Sequence, residues 1–318
     1  MGMIRRAAKQ AAFASGLAGA LLERRGRRGD VPVVMYHGIS PLTVSAEQLD
    51  AHFAFYARHF ETRFFSDLDS AGKGRAPPLV LTFDDGMRSN FELAVPLLRK
   101  HGLKATFFIV SGVFDGLRYL WNHRLCYQLY ALPDAQLPAA CPLLPADPPG
   151  LGLLGERWQA ARREVARVKT LPHAERIALC REVDARSEAA GVEFADWFDR
   201  EYRLAGADQV RARPDCVEYG SHTRCHPVLT SGLDDAELAD EIEGSRERLA
   251  AETGASIDTF CFPNGDHDLR VRRAVSRCYR LSCTTSQGIH RSSDDVHAIP
   301  RVAAAGRPVD MVTSLLLA

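Results

Sequence analysis

Leu79-Val-Leu-Thr-Phe-Asp-Asp-Gly86 is an apolar run that stops on two carboxylates and a glycine. Such a run is expected to form a strand buried on both faces, with Asp-Asp-Gly making the turn that ends it. Downstream, Phe91 to His101 has helical character and closes at Gly102, and Ala105-Thr-Phe-Phe-Ile-Val110 makes another buried strand. Strand, helix and strand in succession form a βαβ unit, which requires a parallel sheet. The expected fold class is α/β.

The same rhythm extends on both sides of this unit. Val31 to Tyr36 is a short buried strand ending at His37-Gly38, and Ala46 to Phe60 places Leu49, Phe53, Tyr56 and Phe60 at helical steps. Ala71 to Pro78 is a Gly/Pro-rich break. Between Ser111 and Pro214 strand character fades: a Pro/Leu-rich loop from Leu132 to Gly150 leads into a charged helical segment from Glu156 to Ala190. This stretch is expected to be a helical insert on the scaffold. Strands resume at Val217–Gly220, Ile257–Phe262, Arg280–Thr284 and Val296–Val302. Between them lie helices at Asp234–Thr253, with Leu238, Ile242, Ser245 and Leu249 on one face, and at Leu269–Cys278.

With 318 residues, 46% of them hydrophobic, there is ample chain for a large core, and a disordered chain is excluded. Forty basic and forty acidic residues leave formal net charge zero, so no global field would steer the protein onto nucleic acid. The eight cysteines form no Cys-x-x-Cys pair and are expected to be free thiols. At the N-terminus, Arg5, Arg6 and Lys9 precede the apolar stretch Ala11–Leu22, and Arg24, Arg25, Arg27 and Arg28 follow it. That stretch falls short of the roughly 20 residues a membrane span needs. It imitates a signal peptide, but its core is mostly Ala and Gly with arginines on both sides. Residues 1–30 are therefore expected to be a basic amphipathic segment making peripheral membrane contact or resting on the protein. The protein is expected to be cytoplasmic, with export as the alternative.

Two constellations can carry chemistry. Asp84 and Asp85 stand at the carboxyl end of a buried strand, where parallel α/β folds gather catalytic groups. Adjacent carboxylates point in different directions, so one can bind a metal while the other acts as a base. His222-Thr223-Arg224-Cys225-His226 follows another strand, and its two imidazoles share a face if the segment turns helically. Asp85, His222 and His226 then make a two-His, one-carboxylate set suited to a divalent metal such as zinc, with Asp84 left to activate water for hydrolysis of an amide or ester.

Thr82-Phe-Asp-Asp-Gly86, the later Ser221-His-Thr-Arg-Cys-His226 and the intervening Ala105-Thr-Phe-Phe108 together resemble the polysaccharide deacetylase family. This carbohydrate esterase group also contains the nodulation-type chitooligosaccharide deacetylases. The resemblance covers roughly Val31–Val110 and Pro214–Val302. It implies a distorted (β/α) barrel with fewer than eight repeats as the catalytic domain over residues 31–318, the helical insert lying outside the shared pattern at about 111–214. It also implies a metal-dependent hydrolase that removes acetyl from N-acetylated sugars, with Asp84 as base and Asp85, His222 and His226 as ligands.

Two departures accompany it. Where the family has Arg followed by Pro-Tyr-Gly, this chain has Cys261-Phe-Pro-Asn-Gly265, so Pro263, Asn264 and Arg301 are the expected oxyanion and substrate-side residues, Arg301 being also the candidate to replace the missing charge. The usual C-terminal Leu-x-His is also missing. Met35-Tyr-His-Gly38 instead fits the exopolysaccharide-type branch and makes His37 the expected general acid, ahead of His267, His290 and His297. The rival expectations are an O-acetyl esterase, an amidase on a non-sugar substrate, and a carbohydrate-binding protein without catalysis. Trp121 and the Arg-rich helix around Arg157–Arg167 are read as core packing and a solvated face.

Overall fold

Among the described residues every pairing between strands is parallel, and seven strands close on themselves. The structure, a computed structural model, describes residues 30–70, 76–141, 144–145 and 155–317. The basic segment expected over residues 1–30 lies outside the described residues, Asp30 apart. The strands are β1 (Val33–Tyr36), β2 (Glu61–Arg63), β3 (Pro78–Phe83), β4 (Ala105–Ile109), β5 (Val217–Ser221), β6 (Thr259–Cys261), β7 (Leu281–Gln287) and β8 (Ile299–Ala303). They follow the order β1-β8-β7-β6-β5-β4-β3, and β1 pairs again with β3, Val34 standing beside both Val302 and Leu81. The result is a distorted (β/α) barrel. The short β2 pairs with the first half of β3 and takes no place in the ring. Glu61-Thr-Arg63 is polar and partly exposed, so no apolar pattern marks it in the sequence.

Alternation along the strands separates two apolar regions. Leu79, Leu81 and Phe83 pack in the main layer against the surrounding helices, whereas Val80 joins Val33, Phe108, Leu281, Cys283 and Ile299 in a separate cluster. Around the ring lie α1 (Ala46–His59) and α2 (Val95–His101), the latter preceded by a wide turn over Asn90–Ala94. Pro96 near the start of α2 supplies no N–H, and Val95 N–H reaches back to Asn90, opening the expected single helix into two segments.

Helix α1 starts at a capping box of Ser45 and Gln48 and buries His52 together with Leu49, Phe53 and Tyr56. Tyr36 Oη lies 3.0 Å from both His52 Nδ1 and Tyr56 Oη. Burial pushes the His52 imidazole down to about 4, partly offset by the backbone of Arg307. Between pH 4 and about 6.5 the unfolded chain protonates this imidazole while the folded chain does not, so its contribution to stability rises with pH across that window. The shift corresponds to about 3 kcal/mol lost at the acid end. Urea midpoints at pH 4.5 and 7 are expected to differ more in the parent than in His52→Gln; equal differences would exclude His52 as the source.

The stretch between β4 and β5 carries α3 (Trp121–Ala131), α4 (Glu156–Lys169), α5 (His173–Ala189), α6 (Asp196–Tyr202) and α7 (Ala207–Arg211). Helices α3 to α6 share an apolar cluster of their own that includes Tyr127, Trp158, Val183 and Phe198, whereas α7 packs into the main layer through Val210. Asp199 of α6 fastens them to the barrel, ion-paired with Arg88 and hydrogen-bonded by Tyr119. After β5 come α8 (Asp235–Ala239) and α9 (Ser245–Thr253), joined through a wide turn at Asp240–Gly244, then α10 (Leu269–Cys278) and α11 (Pro308–Leu317). All eight cysteines are free thiols. Among the described residues, no helix is long and apolar enough to cross a membrane.

Candidate active site

The site stands at the carboxyl ends of β3, β5, β6 and β8. Beyond Phe83 the backbone turns left-handed at Asp85 (φ 72°) and again at Gly86 (φ 72°), so the two carboxylates diverge. A Cβ at Gly86 would also press on the Ile109 side chain at 3.0 Å, so both backbone and space favour glycine there. Both carboxylates are buried.

Asp85 meets the two histidines. His222 Nε2 lies 3.3 Å and His226 Nε2 3.5 Å from Asp85 Oδ1. The segment does not turn helically, as the shared-face expectation required. Thr223 (φ 67°) and His226 (φ 55°) are left-handed, and His226 N–H donates to Thr223 Oγ1 at 2.9 Å, so a tight loop brings the imidazoles together. His222 Nδ1 bonds the Cys261 carbonyl at 2.7 Å, which leaves Nε2 facing Asp85. Burial pushes the His226 imidazole down to about 3 against the pull of Asp85, so its ring stays neutral, as a ligand must be.

The donor set fits a divalent metal. Ligand atoms about 2.0–2.2 Å from a tetrahedral ion lie about 3.3–3.5 Å from one another, and the three Asp85, His222 and His226 atoms all fall within 4.8 Å. Asp84, His222 and Cys261 also bring ligand atoms within 4.8 Å. That second set is disfavoured because a guanidinium already occupies Asp84 and Cys261.

The guanidinium belongs to Arg301 of β8. Its Nη1 and Nη2 each lie 2.7 Å from one oxygen of Asp84, while Nη1 also reaches Thr82 Oγ1, Nε the Thr284 carbonyl, and Nη2 the Cys261 sulfur at 3.1 Å. Arg301 is fully buried (0% exposed). This corrects its expected placing among the oxyanion and substrate-side residues: no face of it is open to substrate, and it holds the Asp84 carboxylate instead. Arg301 thus supplies from β8 the charge that Cys261 of β6 lacks. Burial alone would raise the Asp84 pKa; the charge and hydrogen bonds of Arg301, with His37 and His222 beyond, more than offset it and hold the carboxyl below its ordinary range.

His37 follows β1 at the same end. Its side chain is 48% exposed, and its Nε2 lies 3.8 Å from Asp84 Oδ2. Pro263 is buried, and Asn264 occupies the left-handed region (φ 57°) of a tight turn. The Asn264 side-chain oxygen accepts from Lys169 Nζ at 2.6 Å, so this oxygen is committed to the helical insert. Among the other histidines, His267 bonds the Gly265 carbonyl at 2.8 Å and stacks on Phe262. Trp121 is more than packing: its Nε1 donates to the His226 carbonyl at 2.9 Å, bracing the histidine loop from the insert. No local pattern in the sequence marks that contact. The Arg-rich helix is solvated at Arg162, Arg163 and Arg167, but it is not only a solvated face. Arg157 bonds the carbonyls of Tyr130 and Leu132, and Trp158, Arg162 and Lys169 line a cleft of about 640 Å³ that reaches His37 and Asp85.

The polysaccharide deacetylase family model matches residues 71–120 and 200–279, covering both motifs and omitting α3 to α5. YxkH of Bacillus subtilis (strain 168), a protein named for the polysaccharide deacetylases, is 32% identical over 103 residues, 30% of this chain and 37% of that protein. Two solved structures share the fold: the Streptococcus pyogenes deacetylase PplD in complex with acetate (15% identical, 90% of this chain and 98% of that chain, TM-score 0.59) and the BpsB deacetylase domain of Bordetella bronchiseptica (15%, 89% and 97%, TM-score 0.54). Both motif-bearing segments lie inside the match to the polysaccharide deacetylase family model, and the barrel that joins their ends is shared with the solved deacetylases.

Proposed function

We propose that this protein is a metal-dependent hydrolase that removes N-acetyl groups from a GlcNAc-type saccharide. The observation that carries this reading is the pairing of two separately oriented carboxylates: Asp84 clamped by buried Arg301, and Asp85 facing His222 and His226. The Tyr36-His37 arrangement after β1 favours a role in cell-surface or exopolysaccharide metabolism.

Asp85, His222 and His226 would hold the ion, zinc by preference for this nitrogen and oxygen set. Such an ion acts as a Lewis acid toward the acetyl carbonyl and acidifies water. Asp84, ionised and fixed by two hydrogen bonds, accepts the proton of the water that attacks the carbonyl carbon. His37, half exposed at the opening beside Asp84, donates a proton to the sugar nitrogen as the carbon–nitrogen bond breaks, releasing acetate and free amine. The turn at Pro263–Asn264, following β6 at the same barrel end, is assigned the backbone donor to the oxyanion.

Acetate and free amine released from N-acetylglucosamine oligomers measure this directly. Chelation is expected to abolish turnover and added zinc to restore it. His37→Ala is expected to lower kcat by about 10²–10⁴. Acetate from O-acetylated sugars alone would establish the esterase instead, and zinc binding without turnover of either substrate would leave a binding protein.

A further inference from the structure

Helix α4 turns one stripe toward the cleft: Gln159, Arg162, Ala166 and Lys169, at steps of three and four, all line it. Two of these are cations without an anionic partner among the described residues. Arg162 makes no hydrogen bond or ion pair to any described residue. Lys169 is partly buried, donates to the neutral Asn264 side chain at 2.6 Å and has no carboxylate of the described residues within ion-pair distance; Asp266 and Asp85 act on it only through space. The neighbouring guanidiniums differ, Arg157 being bound to Asp134 and Arg167 to Glu164. Two carboxylates line the cleft with these cations. Asp85 faces the histidine pair, and Glu201 accepts from Ser40 Oγ. Surface cations are ordinarily solvated, but Lys169 is largely withdrawn from water, and burying a cation without an anion is unfavourable. Its position, like that of Arg162, suits an anion arriving in the cleft.

We infer that the saccharide carries an acidic substituent, a carboxylate or a phosphate, close to the reacting N-acetyl group, and that Arg162 and Lys169 recognise it. Arg162 offers a fork that matches either anion in two hydrogen bonds, and Lys169 offers a point charge. The inference rests on the proposed deacetylase activity and names its substrate class. It also gives the insert a function, because both cations lie on a helix absent from the two family-matched segments.

The zinc-loaded protein is to be assayed with three N-acetylated oligosaccharides of equal length: a neutral chitotetraose, a hyaluronan tetrasaccharide bearing carboxylates, and chitotetraose 1-phosphate. At least one acidic oligomer is expected to exceed the neutral one about tenfold in kcat/KM, with the advantage shrinking as salt rises. Whichever acidic oligomer leads identifies the anion. Arg162→Gln and Lys169→Met are each expected to raise KM at least fivefold more for that oligomer than for the neutral one, and Lys169→Arg is expected to restore most of the loss. Equal turnover of all three oligomers, or equal losses in the variants, would overturn the inference while leaving the deacetylase reading intact. Calorimetric binding to Asp84→Asn protein separates the two claims: tighter binding of an acidic oligomer without acetate release from the parent would sustain the anion site and sink the proposed reaction.

Discussion

Arg301→Met is expected to lower the unfolding free energy by about 3–5 kcal/mol, because it leaves the Asp84 carboxylate buried and unpaired, and to remove most of the acetate-releasing activity. The parent arrangement is demanding: a guanidinium with 0% exposure donates to both Asp84 oxygens, a hydroxyl, a carbonyl and a thiol. Methionine fills much of the volume and supplies none of these bonds. The pH dependence gives the result its sign. In the parent, Asp84 has a depressed pKa, so its contribution to stability is present above the unfolded carboxyl value near 3.9 and is lost as pH falls through the folded value. In the variant, burial without the cation raises the carboxyl pKa, so the deficit should shrink as pH falls. Denaturant unfolding at pH 7 and pH 4.5, on parent and variant in the same metal state, measures both effects. A double variant, Arg301→Met with Asp84→Leu, should regain much of the lost stability without regaining activity, since no uncompensated charge remains. An Arg301→Met protein as stable and active as the parent would show that the clamp has no part in either property.

Asp84→Asn is expected to lower kcat by about 10²–10⁴, the usual contribution of a positioned general base. The amide keeps nearly the same shape but accepts no proton at working pH. Asp85, His222 and His226 are untouched, so zinc affinity should change little, which separates loss of the base from loss of the ion. The readouts are acetate release under saturating substrate and zinc affinity by competition with a chromophoric chelator. Activity within tenfold of the parent would move the base to another group, such as the His37 imidazole, 3.8 Å from Asp84.

These predictions differ in how far they could be read from the chain alone. The strands around Leu79–Phe83 and Ala105–Ile109 were legible because a parallel barrel strand is buried on both faces and shows as a continuous apolar run. Asp84, Asp85, His222, His226 and His37 were legible for a related reason: such strands end where the active site begins, and these residues lie within a few positions of a strand end. The helix carrying Leu238, Ile242, Ser245 and Leu249 announced itself by period, and all four are buried although a wide turn interrupts it.

What tertiary structure alone decided is long-range or conformational. Arg301 clamps Asp84 across 217 residues, and a sequence records no distance between two strands of a closing barrel. The convergence of His222 and His226 depends on left-handed backbone at Thr223 and His226, a choice that neither residue type makes by itself. Helix α4 reads as a charged, solvated helix until the barrel gives it a cleft to face, because amphipathic period specifies a buried side and not what lies opposite the other. Local chemistry thus placed the reactive groups at their strand ends; closure of the barrel and docking of the insert, both set by packing between distant segments, determined which of those groups hold one another and which are left to meet a substrate.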